Sequence, residues 1–517
     1  MRVVLLQTPP WRPDMPALGL PYIQGALRAA GADVRLHDLN LALYERLAPA
    51  EREFWDPSHH FVWYDELGKG RAAAIFSREA GFIDGLLGAA VGAGPVIVGL
   101  TALATQKLPA LHIAARVKAL NPEARVMIGG ASCFPQYVPR EIVRHPAVDY
   151  VVVGEGEYAV VDLVRHIEEG EEGPPPAGVL RCRGTAEGDV ESGPSRPLDA
   201  NLDRLPLPDF TGLPLDRYLD RGRIPILLSR GCVNRCAFCI ERKIWERFRF
   251  RGAAHIFREI TEDVARWGAV KLEVNDSLFN GSIRVLDELC GLLIAAGIAL
   301  PWGGEGIIRR EMTPALLAKL KAAGCGFITY GLESASQKVL DLMRKSTDLA
   351  VAARVLRDTH DAGIGVKVNI MVGFPGETEE DFRQTLDFLA ANRPSIDEVN
   401  PSDGFTGIFP GTDLYERAAE FGVVFVNHHY FWETADGHNT LKVRAERFER
   451  VLRHAAALGL ACTYRHPGLL DRDKILGDIH LNRKEYADAL RHYEAHAAKT
   501  GLSEEQIPGY ADTKRRA

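Results

Sequence analysis

Three shortages narrow the reading of these 517 residues. A large excess of charge of one sign is lacking: the formal net charge is -7, which does not suit a dedicated nucleic-acid binder. No export signal is expected either. The amino terminus, MRVVLLQTPPWRP, has no charged region leading into a long apolar run and a small-residue cleavage site, and it predicts a buried first strand. Cysteine is sparse, with eight residues in all, and does not form a disulfide framework. Five of them (Cys133, Cys182, Cys290, Cys325, Cys462) are scattered and read as single buried thiols. The expectation is a cytoplasmic protein, in which a tight cysteine cluster means metal or catalysis. One uncharged run, Gly85–Gln106, is long enough to span a bilayer. The GAGP at 92–95 breaks it into a helix end and the strand VIVGL, so no membrane span is expected.

What is present is alternation. RVVLLQT, DVRLHDLN, PVIVGLTAL, ARVMIGG and VDYVVVGEGE read as strands, separated by helical stretches such as LGLPYIQGALRAAG and LPALHIAARVKALNP. Single helices between strands predict right-handed crossovers and a doubly wound parallel sheet over residues 1–170. In such sheets ligands lie beyond the carboxyl ends of the strands. Those ends are small or glycine-rich here: Thr101, then Gly129-Gly130-Ala131-Ser132, then Gly154-Glu155-Gly156-Glu157. Tight turns need such residues too, so the pattern alone does not name a ligand. Residues 171–220, beginning near EEGEEGPPPAG, read as a linker with some β content. A second α/β run at 221–425 has strand candidates at IPILLSRGC, VKLEVND, IALPWGGEG, FITYGLES, GVKVNIMVGFPG and IDEVNPSDGFTGIFPG. Six βα units predict a partial barrel with its site at the carboxyl ends of the strands. Residues 426–517 read as helical, and LGDIHLNRKEYADALRHY has the spacing of one tetratricopeptide-like unit. A single such unit cannot bury its own face, so it would pack on the barrel or on a protein partner. The segment NHHYFWETADGHN (427–439) reads either as substrate lining or as a polar loop.

The remaining three cysteines fall in one loop, RGCVNRCAFCIERK, directly after the first strand of the second run. Cys232, Cys236 and Cys239 are spaced C-x3-C-x2-C. Structural zinc would want a fourth ligand, and His255, the nearest later histidine, has no partner histidine. Three thiolates on a four-iron cluster instead leave one iron open to a small molecule, and spacing and position favour this.

With Phe238 just before the third cysteine, this loop resembles that of the radical S-adenosylmethionine (SAM) superfamily. The resemblance implies a [4Fe-4S] cluster on Cys232, Cys236 and Cys239, with the open iron chelating SAM and an electron releasing a 5′-deoxyadenosyl radical. It extends along the barrel. Asn275, Asp276 and Ser277 end the second strand, where the family presents polar groups to the SAM amino group. The family's Gly-Gly-Glu is absent at that position, which leaves the donor open, and the literal Gly303-Gly304-Glu305 one strand later reads as coincidence. Arg309 is similar to the family's arginine for the carboxylate or ribose. Glu333 and Ser334 stand on the fourth strand, Gly373 and Phe374 in the fifth-strand motif that packs on adenine, and FPGTDLY (409–415) completes the pattern. The basic run ERKIWERFRFRG reads either as a solvated face or as a docking surface for an electron donor such as flavodoxin or ferredoxin.

The first domain resembles the cobalamin-binding domain fused to many such enzymes, on PALGLPYIQGALRAAGADVRLHDLN, MIGGASCFP and VDYVVVGEGE. The cobalamin contacts this implies are Thr101, Gly129, Gly130, Ser132, Gly154, Glu155 and Gly156. The cobalt-ligating motif D-x-H-x-x-G is missing, and its nearest imitation, DIHLNR (478–483), lies in the carboxyl-terminal region. Together the two resemblances imply a cobalamin-dependent radical SAM methyltransferase acting on an unactivated carbon through methylcobalamin. The alternatives are a cyclase or ring-rearranging enzyme without methyl transfer, or a non-catalytic corrinoid or cluster sensor. Methylthiotransferases bring extra amino-terminal cysteines, and only Cys133 precedes Cys182 here. The substrate, a small molecule or peptide, is not readable.

Overall fold

The computed structural model describes the chain except residues 53–54, 56–73, 135–138, 185–188, 402–405, 429–430, 463–472, 474–476, 478–479, 482–483, 501–502, 505–506 and 508–509. The described residues form two compact units. One is Met1–Pro225 with Glu259–Val270, and the other is Ile226–Arg258 with Lys271–Ala517.

The first unit is built on β1 (Arg2–Gln7), β2 (Asp33–Asp38), β3 (Val96–Thr101), β4 (Arg125–Gly129) and β5 (Tyr150–Val152). They lie in the order β2-β1-β3-β4-β5, each pair parallel. The two-residue period of a strand sends alternate side chains to opposite faces. Val4, Leu6, Val98 and Ile128 therefore join one buried core, while Val3, Leu5, Ile97 and Met127 join another. Both faces are covered, which is why these strands read as continuous apolar runs. The uncharged run at 85–106 resolves into the helix Ala80–Val91 and β3. No helix among the described residues is long and apolar enough to cross a membrane. The stretch read as a linker adds β6 (Val179–Cys182) and β7 (Val190–Ser192), antiparallel, to the β5 edge.

The second unit holds the barrel strands from Ile226 onward. β8 (Arg223–Ile226) pairs with β11 (Lys271–Val274), and between them β9 (Ser229–Arg230) and β10 (Arg249–Phe250) form a short antiparallel ladder. A backbone bond from Leu272 N–H to Pro301 C=O (2.9 Å) leads on to β12 (Trp302–Gly306). β12, β13 (Cys325–Glu333), β14 (Gly365–Ile370) and β15 (Glu398–Asn400) run parallel in that order. Helices Ile283–Ala295, Pro314–Ala322, Leu349–Asp361 and Glu379–Ala391 connect them. Ile328, Tyr330, Leu332, Val366, Val368 and Ile370 are buried towards these helices, where the Tyr330 hydroxyl meets Thr359 at 2.9 Å. The alternate positions face the barrel interior. The architecture is thus an amino-terminal doubly wound sheet, a partial (β/α)6 barrel and a helical carboxyl-terminal region.

The carboxyl-terminal region also contains the hairpin β16 (Val423–His428) and β17 (Phe431–Thr434), and a short strand β18 (Ala461–Cys462) beside β15. Of the tetratricopeptide-like stretch, Leu476 lies outside the described residues. Ala489 and Tyr493 pack with Ile507 and Tyr510 in a small core, and Tyr493 lies against Gly477. In DIHLNR, residues 478–479 and 482–483 lie outside the described residues, as do 429–430 of NHHYFWETADGHN.

Candidate metal and cofactor centre

The cysteine loop leaves the carboxyl end of β8, where a parallel strand's end opens the barrel mouth. It is held by backbone bonds at its centre: Ala237 N–H donates to Met343 C=O and Ala237 C=O accepts from Leu414 N–H, both at 2.8 Å. Phe238 packs against a buried group that includes Ala237, Met343, Phe374 and Trp432. Cys232, Cys236 and Cys239 carry free thiols, each half-buried. Burial pushes all three thiols up, Cys239 to about 12. Each thiolate would raise its neighbours further, and one cation opposes this: Lys345 favours the ionised forms of Cys232 and Cys236. A buried ammonium beside two of the three thiols is the compensation that a cluster held by thiolates needs, so the donor set fits a [4Fe-4S] centre.

Lys345 itself is buried, with its Nζ 3.2 Å from a Glu333 oxygen. Glu333 adopts φ +67°, in the left-handed region that non-glycine residues rarely occupy, at a register shift between β13 and β14. Such strain persists only where the surroundings impose it. Here the Glu333 carbonyl accepts from Met371 N–H (2.9 Å) while its carboxylate meets Lys345. Sequence reading had pointed to Glu333 but missed Lys345. Its stretch LMRKSTD carries no motif, and only the fold returns it to the cysteines.

The other barrel residues separate into two groups. Asn275 and Ser277 are exposed at the end of β11, with the Ser277 hydroxyl bonded to Glu241. Arg309 donates to the carbonyls of Asn280 (2.9 Å) and Gly281 (3.2 Å) and pairs with Glu311. It lines a cavity of about 430 Å³ together with Val233 and Asn234 of the cysteine loop and Arg310 and Asp348. Asp276, Ser334 and Phe374 turn inward instead. Asp276 accepts from Leu228 N–H (2.7 Å) and from the Ser229 hydroxyl, tying the exit of the first strand to the second. Ser334 is fully buried and accepts from Ser336 N–H at 3.2 Å. Phe374 is fully buried, edge-on to Phe421. Gly373 has φ +73°, donates its N–H to Glu377 (2.8 Å), and would strike Arg444 with any Cβ.

In the first unit, the chain reverses its winding between β1 and β3, the position where such sheets bind ligands. Thr8 and Thr101 meet there, hydroxyl to hydroxyl at 2.8 Å. Thr101 is thus engaged by its own neighbour. Gly129, Gly130, Gly154 and Glu155 are partly or fully exposed at the ends of β4 and β5. Gly130 and Gly154 have φ of +112° and +81°, and a Cβ at Gly154 would meet open space. Ser132 is buried, its N–H donating to Ala102 C=O at 2.9 Å. Gly156 is explained by packing: a Cβ there would lie 3.0 Å from Ile23. An open, glycine-lined carboxyl edge with backbone amides accessible fits a bulky ligand such as a corrinoid.

A barrel mouth carrying three thiols, joined in one chain to a doubly wound sheet with an open ligand edge, defines a metallo-cofactor enzyme of radical type. Residues 226–389 match the Radical SAM superfamily and residues 76–164 match the B12 binding domain. An uncharacterized methyltransferase of Pyrococcus horikoshii is 27% identical over 368 residues, covering 70% of this chain and 78% of that protein. The anaerobic magnesium-protoporphyrin IX monomethyl ester cyclase of Rubrivivax gelatinosus is 27% identical over 372 residues, covering 69% and 64%. Among solved structures, the radical SAM methyltransferase TsrM of Kitasatospora setae, with cobalamin and a [4Fe-4S] cluster bound, aligns with a TM-score of 0.62 at 18% identity, covering 96% and 99%. Residues 226–389 are thus a radical SAM domain and residues 76–164 a B12-binding domain, joined in one chain. Its cofactors are a [4Fe-4S] cluster, SAM and cobalamin.

Proposed function

We propose that this enzyme is a methyltransferase that modifies an unactivated carbon of a small molecule. The observation that carries the reading is the pairing, in one chain, of the thiol loop over the barrel with an open B12-type sheet edge. Bound together, the cofactors supply a radical able to take hydrogen from such a carbon and a methyl group for the carbon that remains. The related protein of P. horikoshii is named a methyltransferase, and so is TsrM.

The chain's own part is placement. Cys232, Cys236 and Cys239 would hold the cluster, with Lys345 offsetting its charge. Asn275, Ser277 and Arg309 would present polar atoms to SAM, and the backbone at Gly373 would pack against it. Asp276, Ser334 and Phe374 would fix the strand ends behind them. Gly129, Gly130, Gly154 and Glu155 would line the cobalamin. Residues 1–170 would form the cobalamin-binding domain and 221–425 the barrel.

Anaerobically reconstituted protein incubated with methyl-labelled SAM should form 5′-deoxyadenosine and transfer label to product. A Cys232→Ala variant should do neither. The R. gelatinosus relative is named a cyclase, so 5′-deoxyadenosine with an unlabelled, cyclised product would replace methyl transfer by ring formation. No 5′-deoxyadenosine above the Cys232→Ala level would remove both readings.

A further inference from the structure

The barrel interior is polar, whereas a closed eight-stranded barrel is filled by branched aliphatic side chains. Here the ladder register places Glu305 beside Thr329, Thr329 beside Lys367, and Lys367 beside Glu398. One step nearer the mouth, Gly331 stands beside Asn369 and Asn369 beside Asn400. Gly331 leaves room above it, since a Cβ there would lie 2.7 Å from the Glu333 carboxylate and 2.9 Å from the Lys345 ammonium.

The charges in this interior do not cancel. Lys345 is matched by Glu333 at 3.2 Å and Lys367 by Glu398 at 2.8 Å. Lys271 and Glu273 on β11 contribute one charge of each sign. Among the described residues, Glu305 is the surplus carboxylate. Its one hydrogen bond to a side chain among the described residues comes from Asn369 Nδ2, at 3.1 Å. That orientation leaves Asn369 Oδ1 buried without a partner. Glu305 is exposed by surface area, yet the surrounding barrel and the nearby Glu333 push its carboxyl up to about 7. A carboxylate and an orphaned amide oxygen, side by side and one residue from the strand ends, can only accept hydrogen bonds. What would satisfy both is a donor that also brings one positive charge.

We propose that Glu305 and Asn369 form an acceptor-only cradle at the barrel mouth that receives an alkylammonium-type group carried by the substrate. The inference rests on the reading of this chain as an enzyme acting on a small molecule, and it narrows that molecule to a cationic amine. The Glu305 that stood in the sequence as an accidental Gly-Gly-Glu is then a specificity-determining residue.

The test uses the full chain, loaded with cluster and cobalamin, and n-propylammonium as the probe, with 1-propanol as its neutral counterpart. An alkylammonium, like a lysine side chain, keeps its charge to about pH 10. Calorimetry at pH 8 should show propylammonium binding and no comparable propanol binding. Glu305→Gln should weaken the ammonium at least tenfold while leaving SAM affinity within twofold, which also shows that the variant is folded. Binding to the wild type should strengthen as pH rises through about 7 and Glu305 ionises, and stay flat in the variant. The proposal fails if propylammonium does not bind, if Glu305→Gln binds it equally, or if SAM affinity falls with it, since the cradle would then serve SAM. Formation of 5′-deoxyadenosine by the wild type, measured in parallel, tests the enzyme reading separately.

Discussion

Lys345 and Glu333 are a buried ion pair with unequal neighbours. The ammonium favours the ionised forms of Cys232 and Cys236, and the carboxylate opposes that of Cys236. Removing one member of a buried pair exposes the other to an uncompensated environment. Glu333→Gln leaves the ammonium unopposed beside the cysteines, where it stabilises the extra negative charge of a reduced cluster. The midpoint potential, read by electron paramagnetic resonance during a redox titration, should rise on the order of 59 mV, one tenfold step for a one-electron couple. Lys345→Met should lower it, because it removes the cation that favours the ionised forms of Cys232 and Cys236. Shifts of the same sign in the two variants would contradict this account, and so would no shift in either. The role of Lys345 is not legible in the sequence, because neighbouring positions in LMRKSTD say nothing about a loop that lies about a hundred residues earlier.

At the scale of elements, strand ends matter more than strand bodies. Asp276 sits at the end of β11 and ties down Leu228 and Ser229 as the chain leaves β8 for the cysteine loop. Burial pushes its carboxyl up to about 7, against the hydrogen bonds that pull it down. An acid raised by folding contributes most below its unfolded value near 4, and that contribution is lost as pH rises through about 7. Asp276→Asn keeps an oxygen for Leu228 N–H and cannot ionise. Urea midpoints between pH 4 and 8 should therefore fall less steeply for the variant than for the wild type, and parallel curves would show that Asp276 is not the source. The strands themselves were readable, because full burial on both faces writes continuous apolar runs, and all six barrel strands lie where the pattern put them. The direction of a side chain at a strand end was not readable. In Asn275-Asp276-Ser277 the middle residue turns inward and its neighbours outward, a consequence of the local pleat that a three-residue motif does not record.

At the scale of the whole molecule, the stretch 171–220 that reads as a linker belongs to the first unit, which runs to Pro225. Residues 202–218 are fastened to the first unit: Leu202, Leu205, Phe210 and Tyr218 are buried, and Tyr218 bonds Asp38. Gln24 donates to the carbonyls of Asp209 and Thr211, both at 2.8 Å, and Arg28 pairs with Asp209. Proline, glycine and charge suggested a linker, and at 209–211 what the stretch provides is a strap whose carbonyls are satisfied by a helix. Gly25, in the middle of the helix Gly19–Ala29, shows how close that strap lies, since a Cβ there would be 2.2 Å from the Leu207 carbonyl oxygen. A mid-helix glycine costs about 1 kcal/mol relative to alanine, so a free-standing helix would gain from Gly25→Ala. In this chain the added methyl should push the strap away and lose more than it gains. Overpacking of this kind costs about 1–3 kcal/mol, which for a unit of this size lowers its melting temperature by roughly 5 °C. Hydrogen exchange on the full chain should show faster exchange at 202–218 in the variant, with β12 to β15 unchanged. If the variant instead melts higher with the strap still protected, residues 202–218 are a tether after all.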